Sequence, residues 1–315
     1  IAHAGFDTIL LYAKGVDVTT FGNTDFNDVI RRAEAFGLDT YFYSYLNSFK
    51  HPDDPDAEAF FDRQFGSLFQ ACPGARGLIL VGESCQFPSK DPATSGRMAD
   101  YGNAENAGLA DPRPAPGWWP CKDYPQWLNA VKKAVRRHQP AADVVFWTYN
   151  WGRAPEQPRL ELIRALPADI TLLVTFEMFH FLEKENYTAL VPDYTITFPG
   201  PGRYFSSEAR EAKARGLRLF TMSNTGGMTW DLGVMPYIPT PQQWFKRFEA
   251  LHRARRDWGL SGLMESHHYG WYPSPVCECA KWSFWEPEAD PAERLQRIAA
   301  REFGPRAAPL AVAAW

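Results

Sequence analysis

The sequence predicts an α/β fold of the (β/α)8 barrel type. Short β-rich apolar runs alternate along the chain with helical patterns, and three of these runs end in a glutamate. Such alternation is typical of βαβ units and a parallel sheet. A length of 315 residues fits one barrel with a sizeable core. We therefore expect a single catalytic barrel domain over residues 1–315.

Eight runs have strand character, and helical patterns separate most of them. The predicted strands are Thr8–Ala13, Thr40–Leu46, Gly77–Glu83, Asp143–Tyr149, Ile170–Glu177, Tyr194–Phe198, Leu217–Ser223 and Ser261–Ser266. The predicted helices are Phe26–Phe36, Ala57–Gln70, Tyr124–His138, Ser206–Arg215 and Pro241–Asp257. The first of these shows the pattern well, because its apolar residues recur at helical spacing and Gly37 stands at its C-cap.

The segment 170–198 breaks the alternation. The stretch MFHFLEKENYTALVPD between its two strand-like runs is short for a crossover helix with its loops. We predict a hairpin excursion there, which leaves seven parallel strands and a barrel that is incomplete at its N-terminal end. The chain opens without Met and closes on an Ala-rich stretch of good helix propensity, as expected of part of a longer protein.

Composition narrows the class of partner. The net charge of -4 comes from interspersed acids and bases, so we expect neither nucleic acid nor a membrane as partner. No apolar run approaches the roughly 20 residues that cross a bilayer. Five cysteines are an odd number, which favours reduced thiols in a cytoplasmic protein, or a secreted one if a signal peptide was removed. The oligomeric state stays open.

Glu83, Glu177 and Glu265 are the candidate catalytic residues. Each follows a strand-like run, and a parallel barrel opens into its active site at the carboxyl ends of its strands. Glu83 adjoins Gly82 and precedes the Pro/Gly-rich stretch 87–120, which we expect to cover the substrate. Burial would raise the pKa of Glu83 and suit it to general acid catalysis. The structural alternatives are a loop-capping carboxylate at Glu83 and an ion-paired wall residue at Glu177.

Aromatic and polar residues cluster at three strand ends, one of which is the end that carries Glu265. Sugar rings present an apolar C–H face to aromatic side chains, so these clusters favour a carbohydrate substrate over a plain core edge. The substrate-binding candidates are Trp147, Tyr149, Asn150, Trp151, Asn224, Trp230, His267, His268, Tyr269 and Trp271. Strand alternation predicts that Trp147, Tyr149 and Trp151 share one face of the sheet.

A metal site is the alternative for the histidines. Glu177 and His180 have the Glu-x-x-His spacing that places two ligands on one face of a helix, but this pair is predicted at a strand end. The spacing of Cys277 and Cys279 is too short for a Cys-x2-Cys knuckle and favours packing. We therefore predict no metal and no cofactor, and keep a metal-dependent sugar isomerase or epimerase as the alternative enzyme.

Three stretches carry a family resemblance. LILVGES, VVFWTYNW and GLMESHHYGW, the last followed by AKWSFWEPEADPAERLQRIAAREFG, resemble the barrel of hexosaminidase-type glycoside hydrolases, family 20. The resemblance implies glycosidase activity with Glu83 as general acid. That family carries an Asp-Glu pair, whose Asp orients the substrate acetamide that acts as nucleophile. Here Gly82 occupies the position of the Asp.

This departure leaves the N-acetyl substrate open and calls for a second carboxylate, Glu177 or Glu265, as nucleophile or base. Carboxyl groups roughly 5 Å apart would give retention of configuration and roughly 6.5–9.5 Å inversion. The resulting prediction is an exo-acting glycosidase for a sugar or short glycoside. A non-catalytic glycan-binding barrel is the alternative from a different class.

Overall fold

The structure is a computed structural model in which the chain divides into two compact units. It describes residues 1–13, 25–86, 88–96, 113, 120–191, 194–225, 240–265 and 274–315, without the side chains of 45–47 and 83–86. Unit 1 comprises Ile1–Leu173 and Ala214–Arg218, and unit 2 comprises Val174–Lys213 and Leu219–Trp315. A single catalytic domain over the whole chain stays a prediction.

Seven strands form a parallel sheet, and the order of the strands follows the chain. The sheet runs β1-β2-β3-β4-β5-β8-β9, while β6 and β7 pair separately. The strands are β1 (Thr8–Tyr12), β2 (Asp39–Asn47), β3 (Gly77–Gln86), β4 (Asp143–Trp147), β5 (Thr171–Thr175), β6 (His180–Lys184), β7 (Tyr187–Val191), β8 (Leu219–Met222) and β9 (Leu260–Met264). This order confirms the predicted α/β class, an incomplete (β/α)8 barrel with a hairpin excursion.

Helices connect the strands in both units. Those of unit 1 are α1 (Phe26–Glu34), α2 (Ala57–Phe61), α3 (Ser67–Ala71), α4 (Tyr124–His138) and α5 (Glu156–Ala165). The segment predicted as one helix over 57–70 contains a π-helical turn, Asp62–Gly66. This turn presents the Asp62 carboxylate to His138 Nε2 of α4 at 3.0 Å, and a side chain at Gly66 would collide with that carboxylate. The π-helical turn therefore coincides with a close contact among Asp62, Gly66 and His138.

In unit 1 the residues 40–44, 78–81 and 143–147 of β2, β3 and β4 are buried on both faces, as is usual in a parallel sheet, whereas β1 is half-buried. On one face Phe42 packs on Phe69 of α3, with ring centroids 5.9 Å apart, and Phe146 packs on Tyr124 of α4 at 5.0 Å. On the opposite face the rings of Tyr43 and Trp147 meet at 6.4 Å. The two-residue period of the strands thus divides the aromatic residues between a helix-facing layer and a second layer.

Strand β4 ends earlier than predicted, and this changes the position of Trp151. The chain turns after Trp147, with Asn150 at a φ of 64°, and continues as a 3-10 turn over Trp151–Arg153. Trp151 consequently packs against Phe146 at 5.4 Å, on the helix-facing side, whereas Tyr149 stays with Trp147 at 4.7 Å. The prediction that all three residues share one face is wrong for Trp151, because strand alternation stops at Trp147.

Gly82 lies where β3 approaches β4 too closely for any side chain. The indole Nε1 of Trp151 donates a hydrogen bond to Gly82 O at 2.9 Å. A Cβ atom at position 82 would stand 2.7 Å from Trp147 O and 2.7 Å from Trp151 Nε1. A backbone carbonyl cannot move aside as a flexible side chain can. The aspartate of the resembling family therefore has no room at this position.

Unit 2 contains the predicted hairpin, within the segment 170–198. The antiparallel pair β6–β7 pairs His180 with Val191, whereas the strand predicted at Tyr194–Phe198 is absent from the described residues. Its carbonyls have other partners, since Arg247 donates to Thr195 O and Phe198 O. The helices of this unit are α6 (Arg203–Arg215, its last two residues in unit 1), α7 (Pro241–Trp258), α8 (Pro275–Trp285), α9 (Pro291–Phe303) and α10 (Ala308–Ala314).

The structure also describes four of the five cysteines and the helices that were considered as membrane spans. Cys72, Cys121, Cys277 and Cys279 are buried free thiols, and Cys85 lies among the residues without a described side chain. Over the described ranges, none of the helices combines the length and the apolar character that a bilayer crossing requires.

The close approach at Gly82 predicts a stability effect. We expect Gly82→Ala to lower the free energy of unfolding by about 1–3 kcal/mol, because the added methyl overpacks the contact with Trp147 O. Gly82→Asp should cost more, since it also buries a charge. Urea denaturation measures both effects. The control Gly37→Asn, at a φ of 72° with no atom within 4 Å of its Cβ, should change stability by less than about 1 kcal/mol. Equal effects at positions 82 and 37 would contradict the steric explanation.

Candidate active site

Polar residues of unit 2 gather at the carboxyl ends of β5, β8 and β9. Glu177 follows β5, the residues Ser223, Asn224 and Thr225 follow β8, and Glu265 follows β9. Backbone hydrogen bonds hold the strand ends at one level, with Phe176 N donating to Met222 O at 3.0 Å and Ser223 N donating to Met264 O at 3.2 Å. This edge is where a parallel barrel carries its chemistry.

Glu177 is fully buried and paired with a buried arginine. Its Oε1 lies 3.2 Å from Arg247 Nη1, and both side chains have no exposed surface. Ser223 joins the pair, because its hydroxyl lies 3.3 Å from Glu177 Oε2 and accepts from Arg247 Nη1 at 2.5 Å. Burial raises the pKa of Glu177, while the Arg247 charge and the Ser223 hydrogen bond oppose that increase. These contacts match the ion-paired alternative for Glu177.

Arg247 also holds the chain segment that follows the hairpin. Its Nε donates to Pro199 O at 2.5 Å, and its Nη2 donates to Phe198 O at 2.9 Å and to Thr195 O. The five donors of a guanidinium thus serve one carboxylate, one hydroxyl and three carbonyls. Arg247 fixes both Glu177 and the segment 195–199.

Glu265 has a different environment. It is 8% exposed, and burial raises its pKa to about 7, an increase that a side-chain hydrogen bond with Thr225 only partly opposes. No cation among the described residues contributes to its pKa, and its Oε2 has no hydrogen-bond partner. A carboxyl with a pKa near neutrality populates both protonation states at physiological pH, as a general acid or base requires.

Several other buried polar atoms of unit 2 also lack partners. Those without a hydrogen bond are His180 Nδ1, Thr240 Oγ1, Trp244 Nε1, Arg294 Nε and Glu177 Oε1, the last of which is ion-paired with Arg247. Helix α7 leads through Gly259 directly into the amino end of β9, so the helix start, with Thr240 and Trp244, lies towards the carboxyl ends of the strands. Buried polar groups are normally hydrogen-bonded. Unpaired donors and acceptors along this edge therefore indicate a place for water or a hydroxyl-rich ligand.

The remaining candidates of this unit are only partly described. Asn224 is buried, with 5% of its surface exposed. Trp230, His267, His268, Tyr269 and Trp271 lie outside the described residues. The His180 ring stacks on Phe198, with centroids 4.2 Å apart, and burial lowers its pKa. Among the residues that the structure describes, no three His, Cys, Asp or Glu side chains are placed to share a metal ion.

The candidates of unit 1 occupy strand ends of their own. Glu83 lies in β3 beyond Val81, the last β3 residue paired with β4, and its side chain is not described. Trp147 and Trp151 have no exposed surface, and Tyr149 is 3% exposed. Their contacts with Tyr43, Phe146 and each other account for these three rings as core of unit 1. Asn150 is half-buried in the turn that follows β4. The substrate-binding roles stay predictions.

Two buried aspartates anchor the start of the long connection that follows Glu83. Asp123 accepts from Ser89 Oγ at 2.8 Å and from Lys90 N at 2.6 Å. Asp91 accepts from Ala93 N at 2.9 Å and from Lys122 N at 2.8 Å. Arg113 donates to Ser89 O and Asp91 O, at 2.9 and 2.7 Å. The described parts of this connection are therefore pinned to one another.

Comparisons with known proteins give a fold likeness only. No family model and no curated protein matches the sequence. Among solved structures, a GH18 chitinase from Pseudoalteromonas aurantia is 11% identical, covering 84% of this chain and 88% of its own, with a TM-score of 0.45. A psychrophilic glycoside hydrolase family 10 endo-β-1,4-xylanase is 10% identical over 82% and 78%, with a TM-score of 0.44.

The L-ribulose 3-epimerase structure is 12% identical, covering 98% of this chain and 86% of its own, with a TM-score of 0.42. All three proteins act on carbohydrates by name. Because the identities are below 25% and the TM-scores below 0.5, the similarity assigns neither an activity nor a substrate to this chain.

Arg247 and Thr225 are the site residues that the sequence analysis missed. A signal for Arg247 was present, because it stands on the apolar stripe of α7 with Trp244, Phe248 and Leu251, at the spacing of a buried helix face. An arginine in such a stripe needs a buried acidic or carbonyl partner. Thr225 carried no comparable signal, since threonine after a strand is common in turns.

The Glu177–Arg247 pair predicts a strong energetic coupling. We expect Arg247→Met to lower the free energy of unfolding by about 3–5 kcal/mol, because it leaves the Glu177 carboxylate buried without its cation. Adding Glu177→Gln should recover part of that loss. A double-mutant cycle by urea denaturation gives the coupling energy, and additive effects would show that the two side chains stabilise the unit independently.

The raised pKa of Glu265 predicts a pH-dependent stability difference. In the unfolded chain this group ionises near 4.5, but in the folded protein only near 7. Relative to Glu265→Gln, the natural protein should therefore lose about 3 kcal/mol of stability as the pH rises from 4.5 through 7. Denaturation of both proteins across this range measures the difference. A gap that does not vary with pH would mean that Glu265 titrates normally.

Proposed function

We propose that this protein is a glycoside hydrolase, exo-acting on a sugar or short glycoside, with Glu265 as an acid/base carboxylate. The observation that carries the proposal is the buried Glu265 carboxyl at the end of β9, with a pKa of about 7 and no cation beside it among the described residues. Hydrolysis of a glycosidic bond needs such a group to move a proton at neutral pH.

The surroundings of Glu265 suit a polyhydroxylated substrate. Unpaired donors at Thr240 and Trp244 accompany the unpaired Oε2 acceptor of Glu265 along the same strand edge. A sugar hydroxyl both donates and accepts a hydrogen bond, so one class of ligand satisfies both kinds of atom. An apolar ligand would leave all of them unsatisfied.

Glu177 has a supporting role in this proposal. Its carboxylate is engaged by Arg247 and Ser223, and these partners stabilise its ionised form. Of the two carboxylates that compete for the second catalytic role, Glu265 is therefore the better candidate. A nucleophile must stay ionised, whereas a general base works best when its pKa lies near the working pH. The raised pKa of Glu265 therefore suits the role of general base better than that of nucleophile.

The general acid is assigned to Glu83 on the sequence argument. It would protonate the leaving oxygen of the glycosidic bond, while water activated by Glu265 attacks the anomeric carbon. The absence of room at Gly82 supports a reaction in which the second carboxylate comes from the protein and not one assisted by a substrate acetamide. Glycosides without an N-acetyl group are then as acceptable as those with one.

Two isosteric variants test the proposal. We expect Glu265→Gln and Glu83→Gln each to lower kcat on the best substrate by about 10²–10⁴-fold, because a glutamine cannot transfer the proton. The control Glu288→Gln, at an exposed turn, should retain full activity. Product release from chromogenic glycosides, with and without an N-acetyl group, supplies the measurement.

Dialysis against a chelator completes that experiment. A hydrolase of this kind should keep its activity, whereas loss of activity would favour a metal-dependent isomerase or epimerase. Near-normal turnover by both glutamine variants would end the glycosidase proposal. Sugar binding without turnover by the natural protein would favour a glycan-binding barrel.

A further inference from the structure

A polar cavity of unit 1 lies at the amino ends of the strands, the ends opposite to those that carry the candidate catalytic residues. Its volume is about 320 Å³. Its walls include Arg76 directly before β3, Asp143 at the start of β4, Thr171 at the start of β5 and Arg218 directly before β8, all within unit 1. We propose that Arg76 and Arg218 bind a small, doubly charged oxyanion of the phosphate type in this cavity, either free or as a phosphate monoester.

Asp143 is the fixed centre of the cavity wall. Its buried carboxylate accepts from Tyr41 Oη at 3.1 Å and from Thr171 Oγ1 at 2.8 Å. Arg218 Nη1 donates to Asp143 Oδ2 at 2.9 Å, and Arg218 O accepts from Leu172 N at 2.9 Å, which places Arg218 next to β5. Two hydroxyls and a guanidinium satisfy this carboxylate. Asp143 therefore positions the Arg218 side chain at the cavity.

Gly77 makes the contact between Tyr41 and Asp143 possible. The register places Gly77 of β3 between these two residues, which belong to β2 and β4. A Cβ atom at position 77 would lie 2.6 Å from Tyr41 Cε1 and would collide with the Asp143 carbonyl oxygen. Burial and the Asp143 charge raise the pKa of Tyr41, so its hydroxyl stays protonated and donates at neutral pH. The orientation of Asp143 is thus fixed without any ligand.

Arg76 and Arg218 both have guanidinium donors to spare. Among the described residues, the one ion pair of Arg76 joins its Nε to Asp39 Oδ2 at 3.7 Å, which is too long for a hydrogen bond. Arg218 uses only Nη1 within the same part of the chain. Their side chains are 44% and 50% exposed, so a ligand can reach them. Each guanidinium can offer two parallel N–H groups, the geometry in which arginine binds phosphate.

The acids that line the cavity already have cations. Asp169 accepts from Lys132 Nζ at 2.6 Å and is ion-paired with Arg136, and the other aspartate has the arginine contact given above. The described lining contains three arginines and two aspartates. The positive charge in excess is that of Arg76, which has only its long contact on the rim. An anion therefore meets a positive wall, whereas a cation would have to displace arginine or lysine from its acid.

The cavity has room for such a group. Gly216 forms part of its wall, and no atom lies within 4 Å of the position that a Cβ would take there. The volume is at the lower end of those that hold small molecules. A bound oxyanion would connect Arg76, at the start of β3, with Arg218, beside β5. A ligand that binds only the folded chain stabilises it, so this site would make the stability of unit 1 depend on phosphate.

Isothermal titration calorimetry with inorganic phosphate, at an ionic strength held constant with sodium chloride, tests the site. We expect Arg76→Gln to raise the dissociation constant about tenfold or more, because hydrogen bonds to a charged group are lost. Arg218→Lys keeps a cation beside Asp143 but loses the paired N–H groups, and should also weaken binding. Arg137→Gln is the matched control, since Arg137 is equally exposed, at 44%, and lies outside the cavity, paired with Glu58. It should bind phosphate as the natural protein does.

Competition separates the two sources of the oxyanion. Inorganic phosphate, a sugar phosphate and a nucleoside monophosphate are titrated into the same protein. A monoester that displaces phosphate and binds more tightly identifies the ester as the ligand, whereas tighter binding of inorganic phosphate identifies the free ion. In both cases the affinity should fall in Arg76→Gln, and a crystal structure with the ligand should show its oxygens between Arg76 and Arg218.

Three outcomes overturn the proposal. One is the absence of binding for all three ligands at physiological ionic strength. Another is equal affinity in Arg76→Gln, Arg218→Lys and the natural protein, which would place the ion elsewhere. The third is an equal loss in Arg137→Gln, which would mean that binding follows the overall charge alone. Phosphate binding should be unchanged in Glu265→Gln, so the anion site and the hydrolase function are tested independently.

Discussion

The buried guanidinium of Arg247 is the interaction on which the candidate site depends most. It joins helix α7 to the end of β5 through Glu177, to the end of β8 through Ser223, and to the segment 195–199 through three carbonyls. Desolvating an arginine costs several kcal/mol unless nearly all its donors are used. Because they are used here, the charge is tolerated and the segment that replaces a predicted strand has defined hydrogen-bond partners.

Glu177 and Glu265 show how the same strand-end position produces different chemistry. Both carboxyls are buried, and burial raises the pKa of each. Glu177 has a cation and a hydroxyl to support its ionised form, and those contacts occupy it. Glu265 has a hydrogen bond with Thr225, but no cation among the described residues acts on its pKa. The group with the poorer set of partners is therefore the one whose pKa burial raises to about 7.

Local patterns in the sequence predicted most of the fold. They failed where contacts between distant parts of the chain accompany a different backbone conformation. The alternation of strands and helices gave the seven parallel strands, and Tyr124–His138 was predicted at its observed bounds. The strand expected at Tyr194–Phe198 is absent from the described residues, and Arg247, far along the chain, donates to two of the carbonyls of that segment. Trp151 left the face of Trp147 because Asn150 adopts a positive φ, which asparagine tolerates but does not signal.

For the candidate site, the sequence located the glutamates but not their partners. A carboxylate after an apolar run is visible as a local pattern, so Glu83, Glu177 and Glu265 were recognisable. Whether such a carboxylate meets Arg247, Thr225 or solvent depends on strand register and on which helix face packs inwards. Those are properties of the assembled unit, and no spacing along the chain encodes them directly.

The pinned connection after Glu83 has a consequence for how the protein can diversify. Asp91 and Asp123 fix its first part, and Arg113 returns to the carbonyls of that same part. The residues 97–112 are thereby bounded by two points that are held together by other contacts. The entropy of closing a loop between fixed ends grows only with the logarithm of its length, by about 0.6 kcal/mol for each doubling. A change in the number of residues between Asp91 and Arg113 therefore alters the loop-closure entropy only slightly, and evolution can vary the length of this connection at little cost in that part of the stability.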